Sequence, residues 1–404
     1  MLSEMEVKNF KSFKYFKTRF NRFNVMIGPN ASGKSNFFEI FRFLKDISKN
    51  GLYRAVYKQG GSKYITNVNL DNDVLSIKLL FDYNGRFSSL IDENEKIAIE
   101  SDSIIYNLEL DFSNDDIKVL SEKVEFHCRF FKRESLLCED VLTIVNSQGM
   151  IKSFLRTSHE IMVEDIIPLQ LLNLINEMSS KDSYFTLLHS PLANLPFPWA
   201  LLLFDFNFYN FDPLKSKSIT KNFDKSYLSE NGDNLAIILK NILNTRKREF
   251  MNLLNVLMPF VGDVEVEKFA DSSMAFNLSE NFSKNHFPSS FISDGTSNMI
   301  ALIIALYFEN NNFIFIEEPE RNIHPNMILS LIEMMEEVSL KKQIFVATHS
   351  AEFLRQSHDD DIYCICRDME GFSTVSKPAD EEYIADFLKE MGIEDLYLNG
   401  ILNI

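Results

Sequence analysis

The chain has 404 residues, 45% hydrophobic and 25% charged, enough for a sizeable core in two domains or one heavily elaborated domain. Its formal net charge of -17 argues against a protein built mainly to clamp nucleic acid, because neutralising phosphates supplies most of that affinity. No apolar run approaches the ~18–20 residues that span a bilayer, and MLSEMEVKNF lacks the apolar stretch of a signal peptide, so a cytoplasmic protein is expected.

Residues 5–28 read as two short strands with a turn: Met5-Glu6-Val7 leading into Asn9-Phe10-Lys11-Ser12-Phe13, then Phe23-Asn24-Val25-Met26-Ile27. The last is an apolar run ending at Gly28, as a buried parallel strand would be. Lys8, Lys11, Lys14, Lys17, Arg19 and Arg22 outnumber Glu4 and Glu6 here. They read as charges that blunt exposed strand edges; a small phosphate-contacting patch is the other reading. From Ser35, Phe37, Phe38, Ile40, Phe41, Phe43, Leu44 and Ile47 recur at helical spacing.

Residues 65–150 change character. Stretches at 74–81, 104–112 and 124–131 alternate apolar with polar and are separated by Asn, Asp and Gly, which predicts an antiparallel β region. Helices are expected at 160–180 and 233–258. The Pro-, Phe- and Asn-rich stretch 191–223 reads as loop plus one strand at 201–206. In the block 286–404 a helix at 299–308, a strand at 313–316, a helix at 325–339 and a strand at 344–347 alternate, which predicts a parallel sheet. The expected architecture is an α/β fold split by a long insertion: an N-terminal lobe 1–60, a β-rich and helical insertion 61–230, and a C-terminal lobe 231–404. Cys128, Cys138, Cys364 and Cys366 offer neither a disulfide framework nor metal spacing and are read as reduced thiols.

Gly28-Pro29-Asn30-Ala31-Ser32-Gly33-Lys34-Ser35 fits G-x-x-x-x-G-K-[ST] at every position, after a predicted strand and at the start of a predicted helix. That spacing lets successive backbone N–H groups wrap a β-phosphate, with Lys34 neutralising β/γ charge and the Ser35 hydroxyl on Mg²⁺. Phe313-Ile314-Phe315-Ile316-Glu317-Glu318-Pro319-Glu320 is an apolar strand ending in acids. Beside a phosphate-binding strand, Glu317 is assigned to the metal shell and Glu318 to the general base that polarises water. Ser293-Asp294-Gly295 precedes a helix and reads either as an anion-binding end or as a plain N-cap. His349, in Thr348-His349-Ser350 after a strand, is placed to reach a γ-phosphate, though a lone His is commonly structural.

This order of motifs resembles that of ABC-type ATPases. Within them the chain looks like the branch of RecF-like, chromosome-maintenance and overcoming-lysogenization-defect proteins. The nearest resemblance is to small AAA-named ABC-like ATPases of bacterial anti-phage loci. Besides the motifs, it rests on Asn9-Phe10-Lys11-Ser12-Phe13, Gly232-Asp233-Asn234-Leu235-Ala236, and residues 288–296, 317–325 and 396–402. It covers both ends of the chain well and residues 60–230 poorly.

The resemblance implies a P-loop ABC-type ATPase head that binds ATP and Mg²⁺. Gly28, Pro29, Asn30, Ala31, Ser32, Gly33, Lys34, Ser35 and Asn36 would hold the nucleotide. Ser35, Glu317 and a candidate glutamine, Gln59, would serve the metal, and Glu318, His349 and Lys34 catalysis. It also implies that Ser293, Asp294 and Gly295 act on the γ-phosphate held by another copy's P-loop, in a homodimer or higher homo-oligomer with Asn322 and His324 at the seam. Transporter-type ATPases have Asp where Glu317 stands and Ser-Gly-Gly where Ser-Asp-Gly stands, so a membrane-transporter subunit is disfavoured. Only 55 residues follow His349, too few for the Toprim nuclease domain that many relatives carry. The expectation is an ATP-driven switch, without nuclease activity of its own, that controls a separate effector (a nuclease or toxin) in anti-phage defence. A RecF-like DNA-binding repair ATPase is the alternative, which leaves nucleic acid open as a partner.

Overall fold

The structure is a computed structural model and describes the chain apart from residues 90–96, 133, 157–160, 164–165, 168, 182–183, 195–198, 201–203, 222–226, 284, 382–383, 385–386, 388–390 and 404. It divides into two compact units. The first comprises Met1–Asn21, Asn30–Asp205 and Ile365–Ser376; the second comprises Arg22–Pro29, Phe206–Cys364 and Lys377–Ile404.

The first unit starts with an antiparallel hairpin of β1 (Leu2–Phe10) and β2 (Phe13–Arg19), with Glu4 opposite Arg19 and Phe10 opposite Phe13. The sequence reading found only part of it, because β2 is buried on one side alone, at Phe13, Phe16 and Thr18, and its outward Lys residues mask the alternation. β3 (Phe23–Ile27) follows and belongs to the second unit. Then come α1 (Lys34–Asn50) and α2 (Leu52–Lys58). The helical stripe foreseen from Phe37 to Ile47 is the buried face of α1. Phe37 packs on Phe16 and Phe20 at ring distances of 6.0 and 5.9 Å, and Phe43 on Phe10 at 6.1 Å. Each such buried ring contributes roughly 1.5–3 kcal/mol, so the hairpin fixes the helix that starts at Lys34.

The expected antiparallel region is a meander of β4 (Val74–Ser89), β5 (Ile97–Asp111), β6 (Lys118–Lys132), β7 (Ser135–Ser147) and β8 (Met150–Leu155). It extends the hairpin sheet in the order β8-β7-β6-β5-β4-β1-β2, with β4 antiparallel to β1. A short strand, Ser373–Ser376, lies parallel beside β2. α3 (Leu169–Lys181) begins later than the helix expected at 160–180, since the described residues 161–163 and 166–167 are not α-helical. Trp199 is fully buried, donates its indole N–H to Leu192 O at 3.0 Å and touches Tyr106 and Phe126.

The strand expected at 201–206 lies elsewhere. Residues 201–203 fall outside the described residues, Trp199 and Ala200 are helical, and Phe204 N–H bonds Ala200 O at 3.0 Å. The strand is β9 (Phe206–Tyr209), which belongs to the second unit. An apolar run that continues from a helix into a strand carries no periodicity to mark the change.

The second unit continues with the single turn α4 (Pro213–Ser216), α5 (Leu235–Leu257), an antiparallel sheet of β10 (Val261–Lys268), β11 (Met274–Glu280) and β12 (His286–Pro288), and α6 (Asp294–Tyr307). Next come β13 (Phe313–Glu317), α7 (Ile328–Ser339), β14 (Gln343–Ala347), α8 (Ala351–Gln356), β15 (Ile362–Arg367, of which Ile362–Cys364 belong to this unit) and α9 (Ile393–Leu398). β15, β3, β14, β13 and β9 form a parallel sheet in that order, as the alternating pattern required. β3 and β14 are buried along their whole length, and Phe208, Phe315 and Phe345 stack across three strands at 4.8 Å spacing. The three-stranded sheet, β15 and the strand Ser373–Ser376 were not foreseen. All four cysteines are free, and no helix among the described residues is long and apolar enough to cross a membrane.

One buried charge in the first unit generates a test. Glu122 on β6 accepts hydrogen bonds from the Tyr106 hydroxyl at 2.9 Å and from the Leu188 and Leu187 N–H groups. It thereby ties the sheet to the turn Leu187–His189, whose His189 Nδ1 lies 3.0 Å from Ser48 O of α1. Burial pushes the Glu122 carboxyl up to about 7, against the pull of those donors. A raised carboxyl stabilises the fold fully below the unfolded value and loses that contribution as pH rises through about 7. Between pH 6 and pH 8 this predicts a loss of about 1.3 kcal/mol, or roughly 1–2 °C in melting temperature. Thermal melts of Glu122→Gln should show that slope flattened; an unchanged slope would mean that another group titrates.

Candidate functional site

In the second unit, β3, β14, β13 and β9 end side by side. Met26 lies beside Ala347, Ala347 beside Glu317, and Ile316 beside Tyr209. The Thr348 N–H bonds Met26 O at 3.1 Å, and the Glu318 N–H bonds Ala347 O at 2.8 Å. Gly28, Glu318, Thr348 with His349, and Asn210 therefore emerge along one edge. Beyond the carboxyl ends of the strands is where open α/β sheets take their ligands.

Glu317 is half-buried and accepts a hydrogen bond from Asn210 Nδ2 at 3.1 Å. Glu318 is exposed, with a backbone φ of 48°. Glu320 accepts from the Thr348 hydroxyl and the His349 N–H, while its other oxygen is buried without a partner; burial raises its carboxyl above the usual range. The Thr348 hydroxyl also accepts from Ser350 N–H at 2.9 Å, and the Ser350 hydroxyl caps α8. Glu320 thus clasps the turn that presents His349 to solvent.

The turn at Ser293 docks on the loop after β13. Ser293 caps α6, accepting from Thr296 N–H at 3.1 Å, so the capping reading describes its present bond. Its residue stays exposed at the N-terminus of a 14-residue helix. Lys217 bonds Ile292 O at 3.1 Å and pairs with Asp294. Asn298 Nδ2 donates to Arg321 O at 2.9 Å and Pro319 O at 3.3 Å. A Cβ on Gly295 would stand 2.2 Å from Asn322 O, which only glycine permits. Asn322, at φ 63°, and the exposed His324 lie on this same loop.

Gly28 and Pro29 belong to the second unit, where the Tyr397 hydroxyl donates to Gly28 O at 3.4 Å. Asn30–Asn36 belong to the first unit. There Arg367 Nε donates to Ala31 O at 3.0 Å, the Ser373 hydroxyl donates to Ser32 O, and Asn36 Nδ2 donates to Ser12 Oγ at 2.9 Å. Gly33, at φ 118°, passes so near Ser373 that a Cβ would come within 2.4 Å of its hydroxyl. No side chain caps α1, and the Ser35 and Asn36 N–H groups have no acceptor within the helix. Lys34 is 8% exposed and Ser35 is exposed. Gln59 donates to Glu39 at 2.8 Å, one helical turn beyond Ser35, and its amide oxygen is buried without a partner.

Asn210, Lys217, Asn298, Arg367 and Ser373 were not singled out from the sequence. None lies in a recognised motif, and each reaches the loops through pairing distant in sequence.

A phosphate-binding loop between a parallel strand and a helix, on a sheet whose next-but-one strand ends in Glu317-Glu318, defines a P-loop ATPase domain of the α/β class. The chain belongs to the family described as "AAA domain, putative AbiEii toxin, Type IV TA system", whose profile matches residues 23–142 and 188–355. It is similar to Old nuclease of Escherichia phage P2, 23% identical over 407 residues that cover 95% of this chain and 62% of that protein. It is also similar to Endonuclease GajA of Bacillus cereus (strain VD045), 24% identical over 373 residues, covering 87% of this chain and 56% of that protein. The chain thus spans about three fifths of the length of these relatives. Among solved structures, an SMC head bound to the C-winged helix domain of ScpA matches over 93% of this chain and 96% of that one, at TM-score 0.47 and 13% identity.

A domain of this class implies a nucleotide, usually with Mg²⁺. The residues present fit one. The uncapped helix start offers backbone donors to an anion, Gly33 holds a backbone that a Cβ would obstruct, and the buried Ser32 hydroxyl has no partner. The Gly295 contact yields a direct test. Gly295→Ala must push the Ser293 turn off the Asn322 carbonyl and should lower ATP hydrolysis by at least tenfold with little change in melting temperature; wild-type turnover would show the contact to be incidental.

Proposed function

We propose that the chain is a Mg-ATP-dependent switch that pairs with a second copy on binding ATP and thereby controls a separate effector in anti-phage defence. The observation that carries this is the alignment of strand ends bearing Gly28, His349, Glu318 and Glu317, beside an exposed Ser293 helix end in the same unit. In this reading Gly28, Pro29, Asn30, Ala31, Ser32, Gly33, Lys34, Ser35 and Asn36 hold the triphosphate. Ser35 and Glu317 hold the ion, which when bound neutralises charge on the β- and γ-phosphates. Glu318, exposed and fixed through its backbone to Ala347, takes the proton of the attacking water. His349, clasped by Glu320, faces the γ-phosphate. Ser293, Asp294 and Gly295 complete a site on the other copy, with Asn322 and His324 at the seam.

The two curated relatives are named as nucleases, and the family description names a toxin. We assign such chemistry to a separate effector, a nuclease or toxin. The motifs recognised in this chain are those of nucleotide binding and hydrolysis. Efficient DNA cleavage by the purified chain alone would overturn that assignment.

Lys34→Ala removes the charge that faces the phosphates and should abolish binding of a fluorescent ATP analogue. Glu318→Gln should still bind Mg-ATP but hydrolyse it about 10²–10⁴-fold more slowly, leaving a dimer visible by light scattering. Undiminished hydrolysis by Glu318→Gln would refute the base assignment.

A further inference from the structure

Glu317 heads the loop after β13, and a carboxylate serves a metal only when its oxygens are aimed. Its neighbour on one side is fixed by β14, where Glu317 stands beside Ala347, which offers no side-chain donor. On the other side stands β9. Tyr209 pairs with Ile316, so the next residue, Asn210, falls abreast of Glu317, and its Nδ2 donates to Glu317 Oε2 at 3.1 Å.

The backbone that presents Asn210 is itself held. Its N–H bonds Glu230 O at 2.8 Å, and two residues on, Asp212 N–H bonds Asn231 O at 3.2 Å. Tyr209 and Phe211, on either side, stack at 5.4 Å, while Phe208 stacks on Phe315 of β13 at 4.8 Å. A side chain launched from so constrained a backbone loses little freedom when it bonds. Its amide donates through Nδ2 and keeps Oδ1 as an acceptor, so one small group can hold a carboxylate and still accept a hydrogen bond from water on an ion.

We propose that Asn210 is a positioning residue that orients the Glu317 carboxylate toward the nucleotide's divalent cation. The proposal rests on the ATPase reading given above. Partners that orient metal ligands characteristically alter metal affinity more than fold.

The test uses the full chain and a fluorescent ATP analogue, titrated in EDTA and then against Mg²⁺. For Asn210→Ala the Mg²⁺ concentration giving half-maximal enhancement of binding should rise about 10–100-fold, with affinity in EDTA unchanged. Asn210→Gln, which keeps an amide donor, should recover part of that loss, and the electron paramagnetic signal of Mn²⁺ bound with ATP should broaden in Asn210→Ala alone. An unchanged Mg²⁺ requirement would overturn the proposal, as would equal losses with and without metal, which mark a structural role. If wild-type protein shows no Mg²⁺-dependent binding, the ATPase reading itself fails, an outcome visible before any variant is compared.

Discussion

Register in the parallel sheet of the second unit governs what this chain can do. Met26, Ala347 and Glu317 come from three distant parts of the sequence, yet hydrogen-bond pairing sets them abreast. The residues after them must then leave the sheet at one edge. A slip of one residue would turn Glu317 to the opposite face and separate it from Asn210. The pairing is supported by strands buried on both faces and by the Phe208, Phe315 and Phe345 stack. Apolar packing thus determines where the carboxylates stand.

Around this edge the loops hold each other by small, specific contacts. Gly295 lies under the Asn322 carbonyl, Asn298 satisfies two carbonyls of the same loop, and Glu320 joins it to the turn at His349. The Ser293 turn, the loop after β13 and the His349 turn are therefore one connected assembly within the second unit. In the first unit, Ser373 and Arg367 anchor the carbonyls of the phosphate-binding loop, so that loop depends on residues more than 300 positions away in the chain.

The parts legible in the sequence were those whose chemistry is local. The phosphate-binding loop declares itself because its glycines, Lys34 and Ser35 act within eight residues, and the apolar run ending at Glu317 because a doubly buried strand has a distinctive composition. The α1 stripe and the β4–β6 alternation were visible for the same reason. Asn210, Lys217 and Asn298 were not, since an Asn or Lys in a loop acquires a role only once register or docking brings a partner to it. β12 is three exposed residues and leaves no pattern. β9 was misplaced because the apolar sequence from Trp199 to Phe204 leads up to it without a period that marks where the strand begins. The bond from Gln59 Nε2 to Glu39 on α1 leaves no local trace, since the two lie 20 residues apart.

The central claim is that a nucleotide held by one copy is sealed by the Ser293 turn of another. Mixing two inactive chains, one carrying Lys34→Ala and the other Ser293→Arg, tests it most directly. Sealing between copies predicts that ATPase activity returns on mixing, since a mixed pair retains one intact loop facing one intact turn. If the mixture stays as inactive as either chain, although the two are shown to associate, the turn does not act across copies and the account is wrong.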